Sequence, residues 1–187
     1  MLTRFPTDLE LRAEGGLLLR LPTDVDVDAI AGACQDPDIA RFTRVPSPYT
    51  VDDARWFVRM ATDEATAGAS LNLVVVEGGR LVGACGLPRV DQRDRSGEVG
   101  YWVAAGARGR GVATRAARAV CRWALEDAGI ERLVLEAATI NPGSNGVARA
   151  LGFTLEGTLR QAAVEGGTDD PGRFDMNVWG LLPGELT

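Results

Sequence analysis

The chain of 187 residues contains no histidine and no lysine. Without histidine, an imidazole base, Ser-His-Asp and Cys-His nucleophile systems and histidine metal sites are all excluded. Acid–base chemistry must then fall to a carboxylate, a tyrosine, a cysteine, a hydroxyl or water. The 20 basic residues are all arginine, a bias that GC-rich codon usage explains without a functional cause. Cysteine is scarce too. Cys34, Cys85 and Cys121 are scattered, odd in number and set among apolar residues, with no CxxC pair or metal-ligand spacing, so they read as reduced core thiols and no metal is expected. No apolar run is long enough to span a membrane. Met1-Leu2-Thr3-Arg4-Phe5-Pro6 lacks the basic-then-apolar order of a signal peptide, so the expected location is the cytoplasm.

What is present is ordinary for a globular chain: 45% hydrophobic and 25% charged residues. The length, with no repeat and no linker, predicts a single domain over residues 1–187. A net charge of -6 argues against general nucleic-acid binding and suits attraction of cationic amines.

Leu17 to Leu21 reads as a strand, and Thr23-Asp24-Val25-Asp26 as the start of a helix over Val27 to Cys34. Gln35 to Pro48, with three prolines, reads as a loop. Thr50 and Asp53 form a capping-box pattern before Ala54, Phe57, Val58, Ala61 and Ala65 at helical spacing, with Trp56 and Met60 off that stripe. Leu71 to Val76 and Leu81 to Leu87 flank Gly78-Gly79, a hairpin signal. Glu98 to Val103 is the next strand, followed by a helix from about Arg108 to Ala128 that buries Val112, Ala116, Ala119, Val120 and Trp123. Gly129 is placed to stop it. Arg132 to Thr139, a short helix from Pro142, and strands Thr154 to Val164 and Phe174 to Leu182 complete the chain. The predicted fold is α/β (α+β): a mixed, mostly antiparallel sheet flanked by helices, with one central parallel strand–helix–strand unit.

The segment Arg108-Gly109-Arg110-Gly111-Val112-Ala113-Thr114 joins the Glu98 strand to that helix. A helix start offers unpaired N–H groups and partial positive charge, glycines admit an anion closely, and arginines add charge, so the segment reads as a pyrophosphate cradle. GxxxxGK[ST] is absent. Against GxGxxG, Gly109 and Gly111 match, Thr114 occupies the third position and Glu136 comes late. A nicotinamide- or flavin-dependent oxidoreductase stays open on this loop alone.

Arg108-Gly109-Arg110-Gly111-Val112-Ala113 resembles the Q/R-x-x-G-x-G/A loop of the GNAT superfamily of acyl-CoA-dependent N-acyltransferases. Asn141-Pro142-Gly143-Ser144-Asn145-Gly146-Val147, then Leu151-Gly152-Phe153, resembles the N-x-x-S-x-x-V…L-G-F segment of its RimJ/RimL-like branch, and Glu98-Val99-Gly100-Tyr101-Trp102 that branch's E-x-G-Y-W strand. The resemblance implies a GNAT-like fold and an N-acetyltransferase that moves acetyl from acetyl-CoA to a primary amine, a protein N-terminus or a small molecule, in a ternary complex. It implies that backbone from Arg108 to Thr114 holds the pyrophosphate, that Trp102 and Val103 pair with the pantetheine arm, and that Asn141 contacts that arm or positions Ser144. Strand alternation puts Glu98, Gly100 and Trp102 on one face, and burial beside Trp102 would raise the Glu98 pKa and suit it as the base. Many family members carry a tyrosine acid at the position of Ala148; here Ser144 is the substitute, as donor to the sulfur. Trp56 and Tyr101, with Phe42, Tyr49 and Trp102, are candidate walls for the acceptor. Homodimers are common in the branch, and a non-catalytic CoA-binding module is the remaining alternative.

Overall fold

The computed structural model describes residues 4–187; Met1 to Thr3 of the N-terminal motif lie outside the described residues. Eight strands form one sheet: β1 (Glu10–Ala13), β2 (Leu17–Arg20), β3 (Leu71–Glu77), β4 (Arg80–Asp91), β5 (Ser96–Val103), β6 (Arg132–Ala138), β7 (Thr154–Val164) and β8 (Arg173–Leu181). Their order is β1-β2-β3-β4-β5-β6-β8-β7. Among the described strands only β5 and β6 run parallel, a pairing that needs a crossover connection such as the helix between them, and the other neighbours are antiparallel. The helices are α1 (Val27–Ala33), α2 (Pro37–Phe42), α3 (Val51–Ala67), α4 (Val112–Glu126) and α5 (Pro142–Ala150).

The two-residue period of the strands divides the core. Leu71, Leu73 and Val75 of β3 and Val99 of β5 pack with Val112, Ala116, Val120 and Cys121 of α4 and with Val147 and Ala148 of α5. Val74 of β3 turns to the other face, where Val27 and Ile30 of α1 and Ala54 and Val58 of α3 cover it, with Trp102 of β5 beside them. Burial of these apolar side chains, at roughly 25 cal/mol per Å2 removed from water, supplies the main drive for this layering.

Three expectations need correction. Residues 35–48 are not all loop: Asp36 caps α2 by accepting from the Asp38 N–H at 2.9 Å, and Pro37 fits its first turn because no N–H is needed there. α4 begins at Val112 rather than near Arg108, since Gly111 before it has φ 70°, outside the helical region. Its buried face also rotates from the expected one: Ala117, Cys121 and Ala124 are buried, while Ala119 and Trp123 are only partly covered. β1 carried no recognised signal. The Thr50–Asp53 capping box is present in both directions, with Asp53 N–H to Thr50 Oγ1 at 3.1 Å and Thr50 N–H to Asp53 Oδ2 at 2.7 Å.

Candidate active site

β5 and β6 pair over only three positions, Ser96↔Arg132, Gly97↔Leu133 and Glu98↔Val134. Beyond Glu98 they part. Pro88, which has no N–H to give the ladder, sits in the register shift of β4 between Gly86 and Arg89, opposite this point. Glycine is required at position 100, because a Cβ there would lie 2.9 Å from Pro88 Cγ. The parted strands open a cleft of about 1730 Å3 whose walls include Glu98, Tyr101, Arg108, Gly111, Glu136 and Ser144.

Along the open edge of β5, backbone polarity alternates. Ala104 N–H bonds Val82 O at 3.0 Å, which puts the N–H and C=O of Trp102, two residues back, on the β4 side as well. The groups facing the cleft therefore belong to Tyr101 and Val103. Of these, Val103 O already accepts from Arg108 Nε at 3.1 Å. Trp102, expected to offer its backbone, instead offers its half-buried indole to the α1–α3 side.

The chain then tightens into a short turn at Ala105–Ala107, pinned by buried Ala107, and enters the cradle. Gly109 has φ 71° and Gly111 φ 70°, so left-handed residues alternate with right-handed or extended ones ahead of α4. That alternation turns successive N–H groups toward a common concavity, and the first turn of α4 adds its own unpaired N–H groups. No heavy atom comes within 4 Å of a Cβ built at either glycine; the requirement is conformational, not steric. The two arginines are not free counter-charges. Arg108 reaches Asp36 at 3.1 Å and Asp38 at 3.0 Å, tying the cradle to α2, and Arg110 reaches Glu77 of β3 at 2.5 Å.

Glu98 sits on the Trp102 face as alternation requires, but its neighbour is a cation: Arg89, opposite it on β4, donates Nε to Glu98 Oε2 at 2.5 Å. The expected apolar surround is thus replaced by an ion pair. Glu136, two residues beyond the Val134 that faces Glu98, lies on the same face and lines the same cleft. Among the described residues it has no salt-bridge partner.

On the opposite wall, Asn141 caps α5 by accepting from Ser144 N–H at 3.0 Å. Ser144 Oγ lies 2.8 Å from the Tyr101 hydroxyl. Asn145, missed in the sequence, locks this arrangement: buried, it donates to Ala138 O at 2.9 Å and Asn141 O at 2.8 Å and accepts from Asn177 Nδ2 at 2.8 Å and Trp179 Nε1 at 3.1 Å. An Asn inside the apolar stripe of α5 was the available signal, since a buried amide demands such partners. Ala148 is fully buried. Burial pushes the Tyr101 phenol pKa up, against the hydroxyl bond to Ser144, and keeps it protonated.

The far mouth of the cleft is framed by α2 and the β7–β8 loop. Arg41 bonds Glu165 at 2.6 Å, Gly166 N–H bonds Arg41 O at 3.2 Å, and Phe42 stacks on Phe174 with centroids 5.6 Å apart. Trp56 lines this mouth with 59% of its surface exposed, and Tyr49, largely buried, lines the cleft as well.

Strand edge, left-handed glycine turn and helix start together form a cleft suited to an extended, phosphate-bearing ligand. The acetyltransferase (GNAT) domain family matches residues 16–154, and the chain belongs to that family. YdaF of Bacillus subtilis (strain 168) is 35% identical over 107 residues, 57% of this chain and 56% of that protein. The ribosomal-protein-serine acetyltransferase of Escherichia coli (strain K12) is 33% identical over 82 residues, 44% of this chain and 46% of that enzyme. The chain thus spans about half the length of these relatives. A structure of RimL, a ribosomal L7/L12 alpha-N-protein acetyltransferase in complex with coenzyme A, superposes with a TM-score of 0.84 at 21% identity, covering 93% of this chain and 98% of that one. That likeness establishes the fold. Among the described residues no helix is long and apolar enough to cross a membrane.

Proposed function

We propose that residues 1–187 act as one cytoplasmic N-acetyltransferase domain that moves acetyl from acetyl-CoA to a primary amine, with a protein N-terminus as the favoured acceptor. The observation that carries the reading is the parting of β5 and β6 beside the two-glycine turn. The parted edge suits an extended amide-bearing arm, which pairs with it like an added strand, and the turn suits a pyrophosphate. The naming of the E. coli relative for ribosomal-protein serine supports a protein acceptor, and the naming of RimL as an alpha-N-protein acetyltransferase supports its N-terminus.

In this reading the N–H groups from Gly109 to Thr114 hold the pyrophosphate, the edges of Tyr101 and Val103 receive the pantetheine arm, and Asn141 fixes Ser144. Arg108 orders the loop by joining it to α2. The free amine attacks the thioester carbonyl; the N–C bond forms, the C–S bond breaks and its electron pair leaves on sulfur. Glu98 takes the nitrogen proton, directly or through water, and the Ser144 hydroxyl donates to the departing thiolate. Direct transfer fits the thiols: Cys34, Cys85 and Cys121 are buried, and burial pushes their pKa values up, those of Cys34 and Cys121 to about 12, which disfavours an acyl-enzyme. The acceptor enters between Trp56 and the α2 mouth.

The test combines thermal shift with transfer. CoA and acetyl-CoA should raise Tm, and a peptide with a free N-terminal serine should gain one acetyl group by mass spectrometry. Stabilisation by NADPH or FAD but not by CoA would overturn the proposal.

A further inference from the structure

The Tyr101 hydroxyl is 2.8 Å from Ser144 Oγ and 3.5 Å from Ser144 O. It belongs to the face of β5 that packs toward α4 and α5. A serine hydroxyl has a single hydrogen. If Ser144 gives it to Tyr101, nothing remains for a ligand; if Tyr101 is the donor, the Ser144 hydrogen is free to point into the cleft. The serine itself is fixed from behind, its N–H held by Asn141 and the helix by Asn145.

We propose that Tyr101 is a positioning residue: its hydroxyl donates to Ser144 Oγ and thereby commits the Ser144 hydrogen to the sulfur of the leaving thiolate. This rests on the reading of Ser144 given above and adds the residue that sets its direction. Charge on the sulfur strengthens both bonds in series, because each donor polarises the next. The Tyr101 proton does not transfer. Burial disfavours the phenolate, so the chain ends at a neutral phenol and the thiolate takes its final proton from solvent.

The thiol pKa of free CoA bound to the protein reads this directly and needs no acceptor. Ultraviolet absorbance of the thiolate is followed against pH for wild type, Tyr101→Phe, Ser144→Ala and the double variant. The protein's own groups stay silent below about pH 10, because burial pushes up the pKa values of Cys34, Cys85, Cys121, Tyr49 and Tyr101. Ser144→Ala should raise the bound-thiol pKa by about one unit, the worth of one hydrogen bond to a charge. Tyr101→Phe, which keeps the ring and its packing, should raise it by a smaller amount, and the double variant should match Ser144→Ala. A wild-type value in Tyr101→Phe, or a double variant that sums the two shifts, overturns the role of Tyr101 alone. A wild-type value in Ser144→Ala removes Ser144 as the sulfur donor, and the inference with it.

Discussion

At the scale of single residues, the two carboxylates of the cleft differ in their surroundings. Glu98 is held by Arg89, while Glu136, on the same face, faces the cleft without an ion pair among the described residues. A base must reach the amine and give its charge up to a proton, so pH dependence separates the two. Glu98→Gln should lower kcat about a hundredfold and flatten the acidic limb of the pH–rate profile, whereas Glu136→Gln should chiefly raise KM for a cationic amine. If Glu98→Gln keeps the wild-type profile and Glu136→Gln loses it, the base is Glu136. The sequence made Glu98 legible by motif and strand parity. It left Arg89 invisible, because a cross-strand partner nine positions away depends on hairpin register.

At the scale of elements, local chemistry was the best guide. The Thr50 capping box and the Gly78-Gly79 hairpin act through neighbours in sequence, and each is where its residues placed it, whereas α4 ends at Glu126 with Asp127 as its cap, short of Gly129. α2 escaped because three prolines outweighed the Asp36-Pro37 start signal, although proline in a first turn is a helix opener. α4 starts later than its apolar periodicity suggests because the glycines of the cradle occupy the left-handed region, which periodicity does not reveal. Gly111→Ala probes that conformation. The added methyl meets no atom, so the cost arises from φ 70° at a residue with a Cβ. Stability should fall by about 1 kcal/mol, and CoA affinity by about fivefold as the N–H groups lose their aim. Unchanged affinity by calorimetry would remove Gly111 from the cradle.

For the whole molecule, carboxylates held by local donors set the response to acid. Burial alone would raise the pKa values of Asp26 and Asp36, but bonds from Arg20 and Arg108 and from backbone N–H groups outweigh it and lower them. Asp53 is lowered by the Thr50 hydroxyl and N–H, Glu156 by Arg132, and Asp175 by the Gln161 N–H. Each folded pKa lies below its unfolded value near 4. The stability they contribute is therefore present above about pH 4 and is lost as pH falls through the folded values. The urea midpoint should hold from pH 7 to 5 and drop by pH 3, and Asp26→Asn should shrink that drop. A midpoint that rises toward pH 3 would contradict the assignment.

By itself the sequence determined the chemistry on offer. The absence of histidine, the glycine spacing at 109 and 111, the alternation around Glu98 and the Asn141–Ser144 cap are facts of composition and of contacts within a few residues. Tertiary structure alone decided which of these groups meet. The insertion of β8 between β6 and β7, the brief pairing of β5 with β6, and the approach of Tyr101 to Ser144 across 43 positions all follow from how the sheet closes around its two cores. Contacts so distant in sequence are set by packing of the assembled layers, and no local propensity encodes them.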